Sequence, residues 1–189
     1  MNVYDFDKTI FDGNSMVHFI ARLAKKNRSV RQRMPEIFVA GVQYKMNIKP
    51  ERSLGKMYSE LLLLIDVEKE LEDFWAEKTK RIKKWYLKQK EPTDVIVTAS
   101  PEFLIQPIAD ELGVRLIGSR VDRKTGAMIS KNNKGAEKVV RFRAEYPDAK
   151  IEKFYSDSWS DTPLAREAEK AYFVRGDRRT KWSKKKLAK

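Results

Sequence analysis

The sequence predicts an α/β protein with a mostly parallel sheet and an inserted group of helices. From Pro92 onward, apolar runs of strand length alternate with segments of helical periodicity, a pattern typical of a sheet with helices on both faces. Between Ser15 and Lys90, helical patterns instead follow one another, and the short segment Asn2–Tyr4 before them suits a strand of the same sheet. We therefore predict a core of residues 1–14 and 92–177, a helical bundle inserted at 15–91, and a basic C-terminal tail at 178–189.

Four helices are predicted in the insert. Ser15 is expected to cap the first, which ends near Lys26. The second covers Val30–Lys45, and Pro35 must either lie in its first turn or kink it. Pro50 begins a third helix that reaches Leu64, and one long fourth helix is predicted from Asp66 to Lys88. Four helices in succession favour a small bundle.

The predicted core elements after Pro92 alternate between strands and helices. Gly113 and Gly126 mark a helix end and a hairpin turn. In chain order the elements are strand Asp94–Thr98, helix Pro101–Leu112, strand Val114–Ile117, hairpin Val121–Met128, helix Lys134–Tyr146, strand Ile151–Ser156, helix Thr162–Ala168 and strand Ala171–Val174.

Composition excludes several kinds of chemistry. The 189 residues include no cysteine and a single histidine, His18. Disulfides, thiolate zinc sites and a thiol nucleophile are therefore excluded, and a Ser-His-Asp triad or histidine metal site is not expected. His18 itself is expected to be a packed or solvated side chain. Carboxylates must carry any metal or acid–base chemistry.

No membrane segment or targeting sequence is expected. The longest apolar stretch, Leu61–Ile65, is far too short to cross a bilayer, and no apolar run precedes Asp5. We therefore expect a cytoplasmic protein.

The net charge of +13 indicates an affinity for anions. Residues 15–93 hold 18 Lys or Arg against 10 Asp or Glu, and residues 166–189 hold 10 against 3. A terminal charge run is usually solvated and partly disordered. The alternative is a weak contact of the basic insert or tail with an anionic surface or a nucleic acid.

Polar residues collect at the predicted carboxyl ends of the strands, where ligands bind in such sheets. Asp5 and Asp7 follow the first strand, Thr98-Ala99-Ser100 the second, and Asp157 a later one, with Asp161 nearby; Lys134 and Lys138 begin a helix. Acids, hydroxyls and ammonium groups together match phosphoryl transfer. Mg²⁺ takes oxygen ligands, and cations stabilise the transferred group.

These motifs resemble the haloacid dehalogenase superfamily. The resemblance rests on four motifs: Asp-x-Asp-x-Thr at 5–9, Thr-Ala-Ser-Pro at 98–101, Lys-Gly at 134–135 with a second lysine at 138, and Ser-Asp-x-x-x-Asp at 156–161. With a helical insert after the first motif, the order is similar to the phosphoserine-phosphatase-like branch. The resemblance implies a Rossmann-like three-layer α/β/α core with a helical cap. It also implies Mg²⁺-dependent hydrolysis of a small phosphorylated metabolite or a lipid or sugar head group.

The resemblance also implies roles for individual residues. Asp5 would be the nucleophile that forms an aspartyl-phosphate, and Asp7 the general acid and base. Asp5, the backbone carbonyl of Asp7 and Asp157 would hold Mg²⁺. The phosphoryl oxygens would be bound at Thr98, Ala99 and Ser100, with Lys134 or Lys138 as the contacting lysine and Asp161 in support.

Three alternative functions stay open at this stage, and one residue, Asn14, differs from the pattern of the family. The scaffold also suits a phosphotransferase, a nucleic-acid end phosphatase, or a non-catalytic polyanion-binding module. Phosphoserine phosphatases carry a glutamate at the position of Asn14, to meet the substrate's amino group. Asn14 lacks that charge, so the resemblance does not extend to phosphoserine as the substrate. Trp159 lies between polar residues in a candidate loop and is expected to contact the insert or the substrate.

Overall fold

The computed structural model describes residues 1–188 and confirms the predicted α/β class. A six-stranded sheet runs in the order β3-β2-β1-β4-β5-β6, parallel throughout except for antiparallel β6. The strands are β1 (Asn2–Tyr4), β2 (Val95–Pro101), β3 (Arg115–Ser119), β4 (Ile151–Ser156), β5 (Ala168–Arg175) and β6 (Arg178–Lys181).

The strand order places β1 at the point where the chain changes direction across the sheet. Val3 pairs with Val95 of β2 on one side and with Phe154 of β4 on the other. Ligands bind beyond the carboxyl ends of the strands at such a switch point. The predicted motifs after β1, in β2 and after β4 therefore lie at neighbouring strand ends.

The insert contains six α-helices within the described residues. Their bounds are α1 (Ser15–Lys26), α2 (Arg28–Gln32), α3 (Met34–Lys45), α4 (Pro50–Leu62), α5 (Val67–Lys78) and α6 (Lys84–Leu87), with a 3₁₀ turn at Thr79–Arg81. The predicted cap of α1 was wrong: Asn14 is the cap, and its Oδ1 accepts a hydrogen bond from the Val17 amide at 2.9 Å. The predicted second helix is two helices that meet at Arg33, because Pro35 lies in the first turn of α3.

The predicted long fourth helix was also wrong, because tertiary pairing breaks it after Lys78. Ile82 forms an antiparallel bridge with Phe11, and the Lys83 amide donates to the Ile10 carbonyl at 2.8 Å. The Asp12 amide donates to the Arg81 carbonyl at 2.9 Å. The segment is extended here because it pairs with the loop that follows β1.

Helices cover both faces of the sheet. They are α7 (Glu102–Leu112), α8 (Ala136–Glu145), α9 (Thr162–Arg166) and α10 (Lys184–Leu187). In β2, Ile96 packs into one hydrophobic cluster, whereas Val95 and Val97 pack into the other, as alternate side chains of a strand should. The predicted three-layer arrangement is confirmed.

The insert and the core share one hydrophobic cluster. Trp75 of α5 contacts Phe6 and Phe11 edge to face, and its indole N–H donates to the Leu104 carbonyl at 2.7 Å. The predicted hairpin at Val121–Met128 meets the insert at Gly126, whose positive φ and close approach to Ser59 leave no room for a side chain. The proposed boundaries at 14/15 and 91/92 stay a prediction.

The basic C-terminal segment is structured, against the expectation of a solvated tail. β6 pairs with β5 along Arg178–Lys181, and Trp182 is buried against Phe154 and Phe173. Backbone pairing and one buried indole therefore hold this segment on the sheet despite its charge.

Across residues 1–188, each helix is too short or too polar to cross a bilayer.

Candidate active site

Asp5 lies at the end of β1, where the chain turns out of the sheet. Its amide still pairs with Tyr155 of β4, but the amides of Thr9, Ile10 and Phe11 donate to the Phe6 carbonyl, and Lys8 takes a left-handed conformation with φ 58°. This turn brings Thr9 beside Asp5. The Thr9 hydroxyl donates to Asp5 Oδ2 and accepts from the Asp157 amide, both at 3.0 Å. Thr9 thus links the strand ends of β1 and β4.

Asp7 is held by two hydrogen bonds from different parts of the chain. The Ser15 amide at the start of α1 donates to Oδ1 at 2.6 Å, and the Ser100 hydroxyl in β2 donates to Oδ2 at 2.5 Å. The Thr98 hydroxyl accepts from the Ser100 amide at 3.1 Å. The carboxylate of Asp7 therefore has a defined orientation between the insert and the core.

Lys138 is buried between two carboxylates. Its ammonium donates to Asp5 Oδ1 and to Asp161 Oδ2, each at 2.7 Å. Ser156 donates to the same oxygen of Asp161 at 2.7 Å. Lys134 also lines the cavity, but its ammonium lies 5.7 Å from the centre of the Tyr44 ring. The structure thus places Lys138, and not Lys134, in contact with Asp5.

One cavity of about 300 Å³ brings all the predicted site residues together. Four acids and three lysines line it with hydroxyl and amide groups. The lining residues are Asp5, Asp7, Lys8, Asn14, Tyr44, Thr98, Ala99, Ser100, Lys134, Lys138, Asp157, Ser158, Ser160 and Asp161.

Burial and the crowding of negative charge shift the proton affinities of these acids. Burial, with the nearby charges of Asp161 and Asp157, raises the pKa of Asp5 to about 7 against the effect of Lys138. Burial likewise raises the pKa values of Asp7 and Asp157. For Lys138, burial opposes the charged form, but the two neighbouring carboxylates dominate and raise its pKa.

The cavity has an oxygen donor set that suits a hard divalent cation. Asp5, Asp157 and the backbone carbonyl of Asp7 offer only oxygens, as Mg²⁺ prefers. Within residues 1–188 no three His, Cys, Asp or Glu side chains are grouped to hold a metal. The predicted set does not require such a group, because it combines two carboxylates with a backbone carbonyl.

Sequence reasoning missed several residues that build the cavity. Thr9 is part of the Asp-x-Asp-x-Thr motif, which could have identified it, and Ser156 precedes Asp157 directly. Asn133 had no such signal: it is fully buried, and its amide donates to the carbonyls of Thr98 and Ile117, tying the ends of β2 and β3. Tyr44 of α3 reaches the cavity only through the packing of the insert.

Two sequence expectations about aromatic residues have clear outcomes. Trp159 contacts the C-terminal part of the sheet, not the insert: it stacks on Phe173 with ring centres 4.0 Å apart and meets Trp182 edge-on. His18 packs edge-on against Phe11, and burial with the nearby Arg81 charge lowers its pKa. Neither side chain lines the cavity.

Three comparisons with solved structures show the same fold. A protein of unknown function from Bordetella pertussis Tohama I has a TM-score of 0.74 at 21% identity, over 90% of this chain and 87% of that one. A phosphoserine phosphohydrolase-like protein from Francisella tularensis has a TM-score of 0.55 at 17% identity, over 90% and 86%. A phospho-aspartyl intermediate analogue of phosphoserine phosphatase has a TM-score of 0.55 at 19% identity, over 89% and 83%.

Sequence comparisons agree with the structural ones. Protein CicA of Caulobacter vibrioides is 40% identical in an 88-residue alignment that covers 42% of this chain and only 40% of CicA. The family model described as haloacid dehalogenase-like hydrolase matches residues 3–166, which include every motif residue discussed above. The chain belongs to the haloacid dehalogenase-like hydrolase family.

Proposed function

We propose that this protein is a Mg²⁺-dependent phosphomonoester hydrolase that works through an aspartyl-phosphate on Asp5. The observation that carries the proposal is the pair of buried acids in one cavity: Asp5 contacts Lys138, and Asp7 is held separately by Ser15 and Ser100. Family membership supports a hydrolase. The resemblance of the fold to phosphoserine phosphatase is compatible with phosphate esters as substrates.

In the first step a carboxylate oxygen of Asp5 attacks phosphorus. A phosphorus–oxygen bond forms to Asp5 as the bond to the leaving alcohol breaks, and Asp7 gives its proton to the leaving oxygen. In the second step Asp7 takes a proton from water as the water oxygen attacks the same phosphorus. Inorganic phosphate leaves, and the carboxylate of Asp5 and the acid form of Asp7 are restored.

The environment of Asp7 supports its role as an acid. Burial raises its pKa, so a proton is retained at higher pH than on an exposed aspartate. The hydrogen bonds from Ser15 and Ser100 hold the carboxyl group in one orientation. A positioned acid with a raised pKa suits protonation of a leaving alcohol.

Cations and hydroxyl groups around Asp5 would hold the phosphoryl group. Lys138 orients Asp5 and offsets negative charge, while Lys134 and the Thr98–Ser100 segment line the same cavity. Asp5, Asp157 and the Asp7 carbonyl would hold Mg²⁺, which supplies charge stabilisation of the phosphoryl oxygens. Asp161 fixes Lys138 from the far side.

The test is phosphate release from phenyl phosphate with Mg²⁺, comparing the wild type with Asp5→Asn. We expect the substitution to reduce the rate by at least about 10⁴-fold, because it removes the nucleophile. Asp148→Asn is the matched control, since Asp148 is exposed and lies outside the cavity; its rate should equal that of the wild type.

Two results would contradict the proposal. One is turnover that survives Asp5→Asn, and the other is the absence of phosphate release by the wild type from every ester tested. Recovery of a phosphorylated alcohol in place of inorganic phosphate, when alcohols are added, would identify a phosphotransferase instead.

A further inference from the structure

A second cavity, of about 240 Å³, adjoins the candidate active site on the side of Asp7. The two cavities share five lining residues, Asp7, Asn14, Tyr44, Ala99 and Ser100. The rest of the second cavity lies between the insert and β2. The two cavities therefore meet at Asp7.

The insert side of this cavity is largely apolar, although Tyr44 and Tyr58 each carry a hydroxyl group. Apart from Tyr44, its lining side chains come from α1 and α4: Met16, Val17, Ile20, Leu54, Met57 and Tyr58. Asp7 is the one charged side chain among the described residues that line it. Two other polar groups are already engaged, since Asn14 caps α1 and the Asn132 amide donates to the Tyr44 hydroxyl at 2.7 Å.

We propose that this cavity binds the alcohol part of the substrate, and that the substrate is a phosphate monoester of an uncharged, apolar alcohol, alkyl or aryl. The inference rests on the proposed function, in which Asp7 protonates the leaving oxygen. The alcohol must then extend from Asp7, and the apolar cavity begins there. The carbon chain gains by leaving water for this lining.

The size and charge of the cavity restrict the alcohol further. An apolar cavity of roughly 150 Å³ is enough to bind benzene, so about 240 Å³ accommodates a substituted ring or a short alkyl chain. An amino-acid alcohol such as serine would bring an ammonium and a carboxylate into a lining whose one charged group, Asp7, already accepts hydrogen bonds from Ser15 and Ser100, and whose described residues include no cation. Burying unpaired charges is strongly unfavourable.

The first test measures kcat/KM of the wild type with Mg²⁺ for methyl, butyl and hexyl phosphate and for O-phosphoserine. We expect kcat/KM to rise about fourfold for each added CH₂ until the cavity is filled. O-Phosphoserine should fall below butyl phosphate. A flat response to chain length, or a preference for O-phosphoserine, overturns the inference while leaving the proposed hydrolase intact; no release from any ester overturns the proposed function itself.

The second test places a charge in the lining. Val17 is 63% exposed and lies in the first turn of α1, so Val17→Asp should fold. We expect the ratio of kcat/KM for hexyl phosphate to that for methyl phosphate to fall at least about fivefold. Repulsion of the phosphate itself affects both esters and cancels in the ratio.

Val140→Asp is the matched control, because Val140 is 61% exposed on α8 and lies outside both cavities. Its ratio should match that of the wild type, and an equal fall in both variants overturns the inference. A final comparison presents dodecyl phosphate free in solution or in phosphatidylcholine vesicles. Faster hydrolysis in vesicles identifies a membrane lipid as the source of the ester, and faster hydrolysis of the free form identifies a soluble one.

Discussion

Two buried cations in this protein, Lys138 and Arg22, are each surrounded by carboxylates, yet their surroundings differ. Lys138 lies between Asp5 and Asp161 at the strand ends. Arg22 of α1 contacts three acids of α5: Glu70, Asp73 at 3.1 Å and Glu77 at 3.0 Å. The number of ion pairs alone would not distinguish a catalytic cluster from a structural one.

The exposure of the acids is what separates the two clusters. Side-chain exposure is only 10% for Asp5 and 3% for Asp161, but 47% for Asp73 and 45% for Glu77. Burial therefore raises the pKa of Asp5 to about 7, whereas hydrogen bonding to Arg22 lowers the pKa of Glu77. The Lys138 cluster keeps an acid in an unfavourable ionised state, which suits chemistry, and the Arg22 cluster stabilises the contact between α1 and α5.

The largest expected effect is on activity, from Lys138→Met. Loss of the buried ammonium should reduce phosphate release by about 10³-fold or more, because Asp5 loses its orienting partner and the phosphoryl group loses a cation. Lys134→Met is the matched control and should reduce the rate no more than about tenfold, since Lys134 does not contact Asp5. Equal losses in the two variants would show that the contact with Asp5 is not decisive.

The next effect is on stability, from Arg22→Met. Removal of one partner from a fully buried ion pair costs about 3–5 kcal/mol. Asp73 and Glu77 are half exposed and can rehydrate, so we expect about 2–3 kcal/mol here, measured by urea unfolding. Phosphate release per folded molecule should stay within about twofold of the wild type. A large loss of turnover would mean that this cluster also supports the chemistry.

In the metal-free protein, the contributions of Asp5 and Glu77 to the free energy of unfolding should change with pH in opposite directions. Because the folded pKa of Asp5 lies near 7 and the usual pKa of an aspartate is 3.8, the folded state binds more protons between these values. The Asp5 contribution to unfolding free energy therefore falls as pH rises from about 4 to 7, by on the order of 4 kcal/mol. Asp5→Asn should remove that dependence.

The contribution of Glu77 to stability should depend on pH with the opposite sign. Its folded pKa is lowered, so the stability that it contributes is present above its unfolded pKa and is lost as pH falls. Glu77→Gln should therefore flatten the acid side of the stability curve, measured by urea unfolding between pH 3 and 6. Loss of stability on the alkaline side in this variant would contradict the assignment.

The smallest expected effect comes from Lys26→Met. Lys26 pairs with Glu77 at 3.4 Å but is half exposed, and such pairs contribute about 0.5 kcal/mol or less. Urea unfolding of Lys26→Met and Arg22→Met in parallel would compare the stability that each cation contributes through its contact with Glu77. A cost equal to that of Arg22→Met would show that burial does not determine the value of these pairs.

Much of the fold could be predicted because local patterns and tertiary structure agree in the core. The predicted strand at Ile151–Ser156 has the observed bounds, and the first predicted helix ends at the observed Lys26. The predictions failed where distant segments pair. The break after Lys78 depends on Phe11 and Ile10, and the order of the C-terminal segment depends on β5 and Trp182.

By itself the sequence determined the alternation of strands and helices and the placement of acids at strand ends, since both follow from residue type and spacing along the chain. Only the tertiary structure decided that Lys138 contacts Asp5, that Thr9 links Asp5 to Asp157, and that an apolar cavity opens beside Asp7. These contacts and this cavity depend on how helices pack against strands that are far away in sequence. Distances of a few ångströms between such groups, and the burial that sets their proton affinities, arise only when the whole chain packs.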